Sequence, residues 1–252
     1  MAMMLALGGC SLLVGLSDLG GDGGGLSDVK EGPDVMNDAS DVAAPDCGHT
    51  FCESFDEDGA SSFSRWPNVD TTGGTLSLSA GYSPPFALQA SIPAATALDE
   101  GPTLEHALPA GSKIHVDFEM QGDCLVNQAN ALSIELVTPL PGMTQTSILL
   151  YESPATVHLA LAYVLDGGEI LDADDNPIGS TITSWRHFML DIDFPNDSVT
   201  LTDVTGGGFA IKDKIAPSMP PGPTRLRVGV VAQSAIASDC SIWFDDIVVD
   251  VL

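Results

Sequence analysis

From residue 51 onward the apolar positions recur every second residue. In Lys113-Ile-His-Val-Asp-Phe-Glu-Met120 every even position is apolar and every odd one polar, which is the pattern of a strand with one buried and one wetted face. Similar alternation runs through Thr75 to Ser79, Ala131 to Val137, Thr156 to Tyr163, Arg186 to Phe194, Ser198 to Thr202 and Arg225 to Val230. None of these segments has the three-to-four-residue spacing of an amphipathic helix. Between them stand breaker clusters: Gly73-Gly74, Ser83-Pro84-Pro85, Pro139-Leu140-Pro141-Gly142, Asp166-Gly167-Gly168, Pro195-Asn196-Asp197 and Pro217 to Pro223. Many short strands at this spacing predict an all-β domain, a β-sandwich or jelly roll, long enough to bury a substantial core.

The order of several short motifs narrows the fold. Phe51-Cys-Glu-Ser-Phe-Asp56, Trp66, Gly73-Gly74 and Pro84-Pro85-Phe86-Ala-Leu88 come first, followed by Trp185-Arg-His-Phe-Met-Leu-Asp-Ile-Asp193 and Ile242-Trp-Phe-Asp-Asp-Ile-Val-Val-Asp250. Together they resemble concanavalin A-like jelly rolls of the laminin-G type, over Phe51 to Leu252. Galactose-binding-like jelly rolls also open on Phe-Asp or Phe-Glu and close on an Asp-rich strand, and they form the alternative fold.

Ahead of the domain, Leu7-Gly8-Gly9-Cys10 followed by Ser11 resembles the lipobox of bacterial lipoproteins. The resemblance implies that Cys10 is the lipidated first residue of the mature protein. Residues 1–9 then read as a signal segment. They lack a Lys or Arg and barely reach the apolar length of about 7–15 residues that such segments carry, so the segment reads as truncated. The run Met1 to Leu16 is shorter than the ~20 apolar residues of a membrane span. Between Ser17 and Asp46 the chain holds Asp18, Asp22, Asp28, Glu31, Asp34, Asp38, Asp41 and Asp46 against Lys30, with a Gly20 to Gly25 tract interrupted by Asp22. Such a segment cannot bury enough apolar surface to offset its ordering entropy, and its charges repel. The expected organisation is a signal segment at 1–9, a lipid-anchored disordered tether at 10–46 and a β-sandwich at 47–252. The location that follows is the cell envelope, as an outer-membrane lipoprotein or at the cell surface or periplasm.

Charge restricts the partners. Eight basic residues against 35 acidic ones give a formal charge of -27, which argues against nucleic acid, whose binding rests on Lys and Arg at phosphates. The membrane is expected only through the lipid anchor. Setting Cys10 aside leaves Cys47, Cys52, Cys124 and Cys240, an even set suited to two disulfides in an oxidising compartment. Three pairings are open, and Cys47 with Cys52 plus Cys124 with Cys240 is the favoured one.

Candidate chemistry is sparse. In many jelly-roll binding modules the first and last strands pair, and carboxylates there hold a structural Ca2+; here the corresponding ligands are Glu53, Asp56, Asp245 and Asp246, hard oxygen donors of the kind Ca2+ takes in numbers. Asp172-Ala-Asp174-Asp175-Asn176 imitates the start of an EF-hand loop, but Pro177 stands where Gly is required and Thr183 where Glu is, so it reads as a turn. For a sugar ligand, Trp66 and Tyr82 occupy loop-like sequence and are the candidate platforms, whereas Trp185 and Trp243 lie in strand sequence and read as core. No E-x-D-x-E strand of the glycoside hydrolases found on this fold occurs; Asp191-Ile-Asp193 lacks both Glu residues. There is no G-x-S-x-G elbow either, and His115, His158 and His187 read as solvated strand positions. The function expected is therefore a lipid-anchored, non-catalytic jelly roll that binds a glycan or an envelope or extracellular protein. The alternatives are a structural surface protein without a specific ligand and a divergent glycoside hydrolase.

Overall fold

The computed structural model describes residues 47–56, 63–124, 129–138, 143–153, 156–165, 170–171, 176–177, 182–214 and 221–252. Cys10, the expected tether and Asp172, Asp174 and Asp175 of the EF-hand-like run lie outside the described residues.

Strands make up almost all the regular structure. In chain order they are β1 (Phe51–Glu53), β2 (Asn68–Asp70), β3 (Thr75–Ser79), β4 (Ala87–Ile92), β5 (Thr103–Leu108), β6 (Lys113–Gly122), β7 (Ala129–Leu136), β8 (Met143–Ser153), β9 (Thr156–Leu165), β10 (Ile170–Leu171), β11 (Asn176–Pro177), β12 (Arg186–Asp193), β13 (Ser198–Asp203), β14 (Phe209–Lys214), β15 (Thr224–Ala232) and β16 (Cys240–Val251). They form two antiparallel sheets, each of eight strands. The first runs β14-β13-β12-β6-β16-β4-β3, with β1 also on β16; the second runs β10-β9-β8-β7-β15-β5-β2, with β11 on β9. This is an all-β sandwich of the jelly-roll type.

The period-two pattern sets the packing. Even residues of β6 (Ile114, Val116, Phe118, Met120) face inward and are buried, together with Phe188, Leu190 and Ile192 of β12 and Ile242, Phe244, Ile247 and Val249 of β16. Leu132 and Ile134 of β7 and Leu226, Val228 and Val230 of β15 belong to the same core. Each such side chain contributes about 1.5–3 kcal/mol by leaving water. Arg186 to Phe194 does not run as strand to its end: Pro195 and the Asp193 carboxylate, which accepts from Asn196 N at 3.2 Å, bring in a 3-10 turn at Phe194–Asn196. In β5 both Thr103 and Leu104 are buried, breaking the alternation. Gly229, at φ +147°, lies opposite Thr103 and lets the two strands approach closely there, since a Cβ would sit 2.2 Å from Pro102 O.

One edge of β16 decides where a site can form. β6 borders β16 along its length, but the opposite edge is shared: β4 pairs with Cys240 to Phe244, and β1 with Ile247 to Val249. Where the two partners meet, the ladder with β6 slips between Asp245 and Val248, and Asp246 takes φ +48°. Such a bulge re-aims side chains at the point where pairing changes. Cys124, just past β6, is bonded to Cys240 at the start of β16, and Cys47 is bonded to Cys52 in β1. Both pairings are the ones favoured from the sequence.

Candidate functional site

The outward face of the first sheet is ordered in cross-strand rows, since residues directly opposite one another on neighbouring strands share a face. In one row Trp243 of β16 stands between Gln121 of β6 and Gln89 of β4, and Gln89 in turn faces Ser77 of β3. Trp185 immediately precedes β12, and the Gln121 amide donates to Thr183 O nearby at 3.2 Å. In the next row His187 of β12 faces Glu119 of β6, which faces Asp245 of β16. The first row is thus aromatic and amide, the second imidazole and carboxylate.

A loop closes over the second row. Ser83 donates from its N–H (2.9 Å) and its hydroxyl (3.2 Å) to Asp245 Oδ2, while Asp246 N donates to Asp245 Oδ1 at 2.9 Å. Asp245 is consequently fully buried, although it points away from the core. The loop fits closely: a Cβ on Gly81 would lie 2.7 Å from Asp245 Oδ2. Its tip presents Tyr82, 55% exposed, with its ring centroid 6.2 Å from that of Trp185 and the planes inclined by 56°. Trp185 and Trp243 are both partly exposed. Three amphipathic rings therefore belong to one outward face.

The electrostatics of the acidic row are unusual. Burial holds the Glu119 carboxyl up at about 7, with Asp246, Asp117 and Asp245 adding to the rise and His187 opposing it. Burial likewise raises Asp245 to about 6, against the hydrogen bonds it accepts from Ser83. His187 reaches Asp117 Oδ1 through Nε2 at 2.8 Å, but its Nδ1 stops 4.0 Å from Glu119 Oε1. Glu119 is 7% exposed, and its Oε2 has no hydrogen-bond partner among the described residues. A buried polar atom in that condition costs about 1–3 kcal/mol.

Several sequence expectations are corrected here. Trp66 is not a platform: it is 2% exposed, packs edge-on against Phe51 with centroids 5.0 Å apart, and donates its indole N–H to Glu53 Oε2 at 3.1 Å. Trp185 and Trp243, read as core, lie on the outward side instead. The physical reason is parity: Trp243 shares the phase of Ser241 and Asp245, whereas Ile242 and Phe244 take the core. Tyr82 stands exposed as expected. The carboxylate set Glu53, Asp56, Asp245 and Asp246 is not gathered, although β1 and β16 do pair. Glu53 lies opposite Ile247 on the core face and accepts from Phe55 N and Trp66 Nε1, while Asp245 is on the outward face and Asp56 accepts from Phe86 N at 3.1 Å. Among the described residues no group of three or more His, Cys, Asp or Glu is arranged to hold a metal ion. Of the strand histidines, His115 contacts Asp191 at 2.7 Å across the sheet, and His158 stacks on Tyr151 with centroids 4.8 Å apart. Glu119 and Asp117 drew no attention in the sequence, yet strict alternation over Lys113 to Met120 already put both beside His115 on one polar face.

No protein-family model matches the chain, and no curated protein sequence matches it. Solved structures do resemble it. A sialidase superposes at a TM-score of 0.54 with 10% identity, covering 80% of this chain and 18% of the sialidase. A cellulose-induced protein does so at 0.53 with 14% identity, over 79% of this chain and 96% of its own. A carbohydrate esterase of the Shiga toxin-encoding bacteriophage phi24B does so at 0.53 with 11% identity, over 81% and 98%. The chain thus spans less than a fifth of the sialidase's length but nearly all of the other two. At these identities the likeness shows the fold alone.

Proposed function

We propose that this domain binds a glycan on the outward face of its first sheet, without catalysing a reaction, and that Cys10 and the acidic segment after it hold the domain at the cell envelope. The observation that carries the binding reading is the row Gln121, Trp243 and Gln89, with the Tyr82 and Trp185 rings in contact beside it. Sugar rings offer apolar faces to partly exposed aromatics, and amides supply paired donors and acceptors for the hydroxyls. The names of the sialidase and the carbohydrate esterase are those of carbohydrate-active proteins, and this supports a glycan as the ligand class. Burial of Asp245 under the Ser83 loop, with both oxygens bonded, supports binding over hydrolysis, since a glycosidase needs two carboxyls open to the substrate.

The test is a glycan screen on the full-length protein followed by titration of Trp185→Ala and Trp243→Ala. Each variant is expected to lose about tenfold or more in affinity, as central aromatic anchors do, with little change in unfolding midpoint. Unchanged affinity in both variants, or no glycan bound in the screen, overturns the reading.

A further inference from the structure

The row beside the aromatic one has chemistry of its own. Asp117, Asp245 and Asp246 all raise the carboxyl of Glu119, and the one imidazole beside it, His187, bonds Asp117 and stops 4.0 Å short of Glu119. The nearby cations point elsewhere: Lys113 pairs with Asp193 at 2.8 Å further along the sheet, and Arg186, in phase with core residue Met120, bonds the buried Asp203. Glu119 is more than nine-tenths buried and has one oxygen with no donor among the described residues. A carboxyl so placed is stabilised by keeping its proton or by a charged donor at its unmet oxygen. The adjacent rings of Tyr82 and Trp185 present the negative π-faces that also attract cations. An anionic sugar such as a uronate or a sialate meets repulsion on this face.

We infer that the glycan taken by this face bears free amino groups, and that a protonated sugar amine is held at Glu119 between the carboxylate row and the Tyr82–Trp185 rings. The inference rests on the glycan reading above and specifies its ligand class. The chain's formal charge of -27 favours the same polycationic ligand at long range. Because burial raises the Glu119 carboxyl to about 7, it carries its proton at mildly acid pH, and capture of an ammonium group there is accompanied by release of that proton to solvent.

The test compares a glucosamine oligomer with an N-acetylglucosamine oligomer of equal length, by calorimetric titration of the full-length protein at mildly acid pH, where the sugar amine is charged. The amine-bearing oligomer is expected to bind tighter by on the order of tenfold, the worth of one hydrogen bond to a charged group, with a preference that shrinks as salt rises. Its binding heat is expected to vary with the ionisation enthalpy of the buffer, reporting the released proton. Glu119→Gln collapses the ratio of the two affinities toward one. Asp193→Asn, which removes a carboxylate at the other end of β12, keeps the ratio and so separates a local effect from net charge. Equal or tighter binding of the acetylated oligomer overturns the inference while leaving the glycan reading standing. Failure of both oligomers to bind overturns it too, and only an empty glycan screen then removes the broader reading.

Discussion

Replacing Glu119 by Gln is expected to make the protein more stable, and only above mildly acid pH. The wild-type carboxyl is raised from an ordinary 4.5 to about 7 chiefly by burial. A folded-state pKa above the unfolded one means that the native state binds more protons within that window, so stability falls as pH rises. The contribution is fully present below 4.5 and is lost progressively as pH climbs through 7. Spread over that interval, the loss is at most about 3 kcal/mol. Gln keeps the volume of the side chain and cannot ionise, so the variant avoids this loss. Urea unfolding followed by tryptophan fluorescence, at pH 4.5 and pH 8, reads the difference. The two proteins should have nearly equal midpoints at the lower pH. At the higher pH the variant's midpoint should lie about 1 M urea above the wild type's, given a slope of roughly 2–3 kcal/mol/M for a domain of this size. The comparison between proteins matters because His106, whose imidazole burial lowers below its ordinary value, contributes stability with the opposite slope at acid pH. Midpoint differences that stay constant from pH 4.5 to 8, or a wild type that gains stability over the variant as pH rises, would refute the burial of an uncompensated carboxyl at this position.

Two further outcomes are expected. Trp66→Ala should lower stability by about 3–5 kcal/mol, seen as a reduced urea midpoint, while the folded fraction retains wild-type glycan affinity; lost affinity without lost stability would show Trp66 acting as a platform. Replacing both Cys124 and Cys240 by Ala should cost about 5 kcal/mol in the chain-entropy account, because the bond closes a loop across 116 residues of separation, whereas the Cys47–Cys52 bond, across 5, should be worth about half as much; equal losses from the two deletions would contradict the loop-length argument.

Reading strands from alternation succeeded where one face is wet and the other buried. Thr75 to Ser79 matches β3 end to end, and Lys113 to Met120 falls short of β6 by two residues. It missed β5, where Leu104 enters the core while its neighbour Thr103, on the opposite face against Gly229, is buried as well. Loop sequence corresponds to exposure at Tyr82 but not at Trp66. Trp66 lies outside the strands, yet its indole N–H finds a buried acceptor in Glu53, which removes the cost of enclosing it.

The sequence by itself determined the periodicity, hence the all-β class, the polar face of β6 and the identity of every group available there, together with the strongly negative charge. Tertiary structure alone decided which strands are neighbours. Cross-strand register is a long-range property, carried by turns, bulges and the division of one edge of β16 between β4 and β1. That register set His187, Glu119 and Asp245 in a line although they are far apart in the chain, with the Ser83 loop over Asp245 and one Glu119 oxygen unmet among the described residues. Parity along β16 told which residues share a face, but not that Tyr82 would meet Trp185 beside them, because that contact joins segments about a hundred residues apart in the chain.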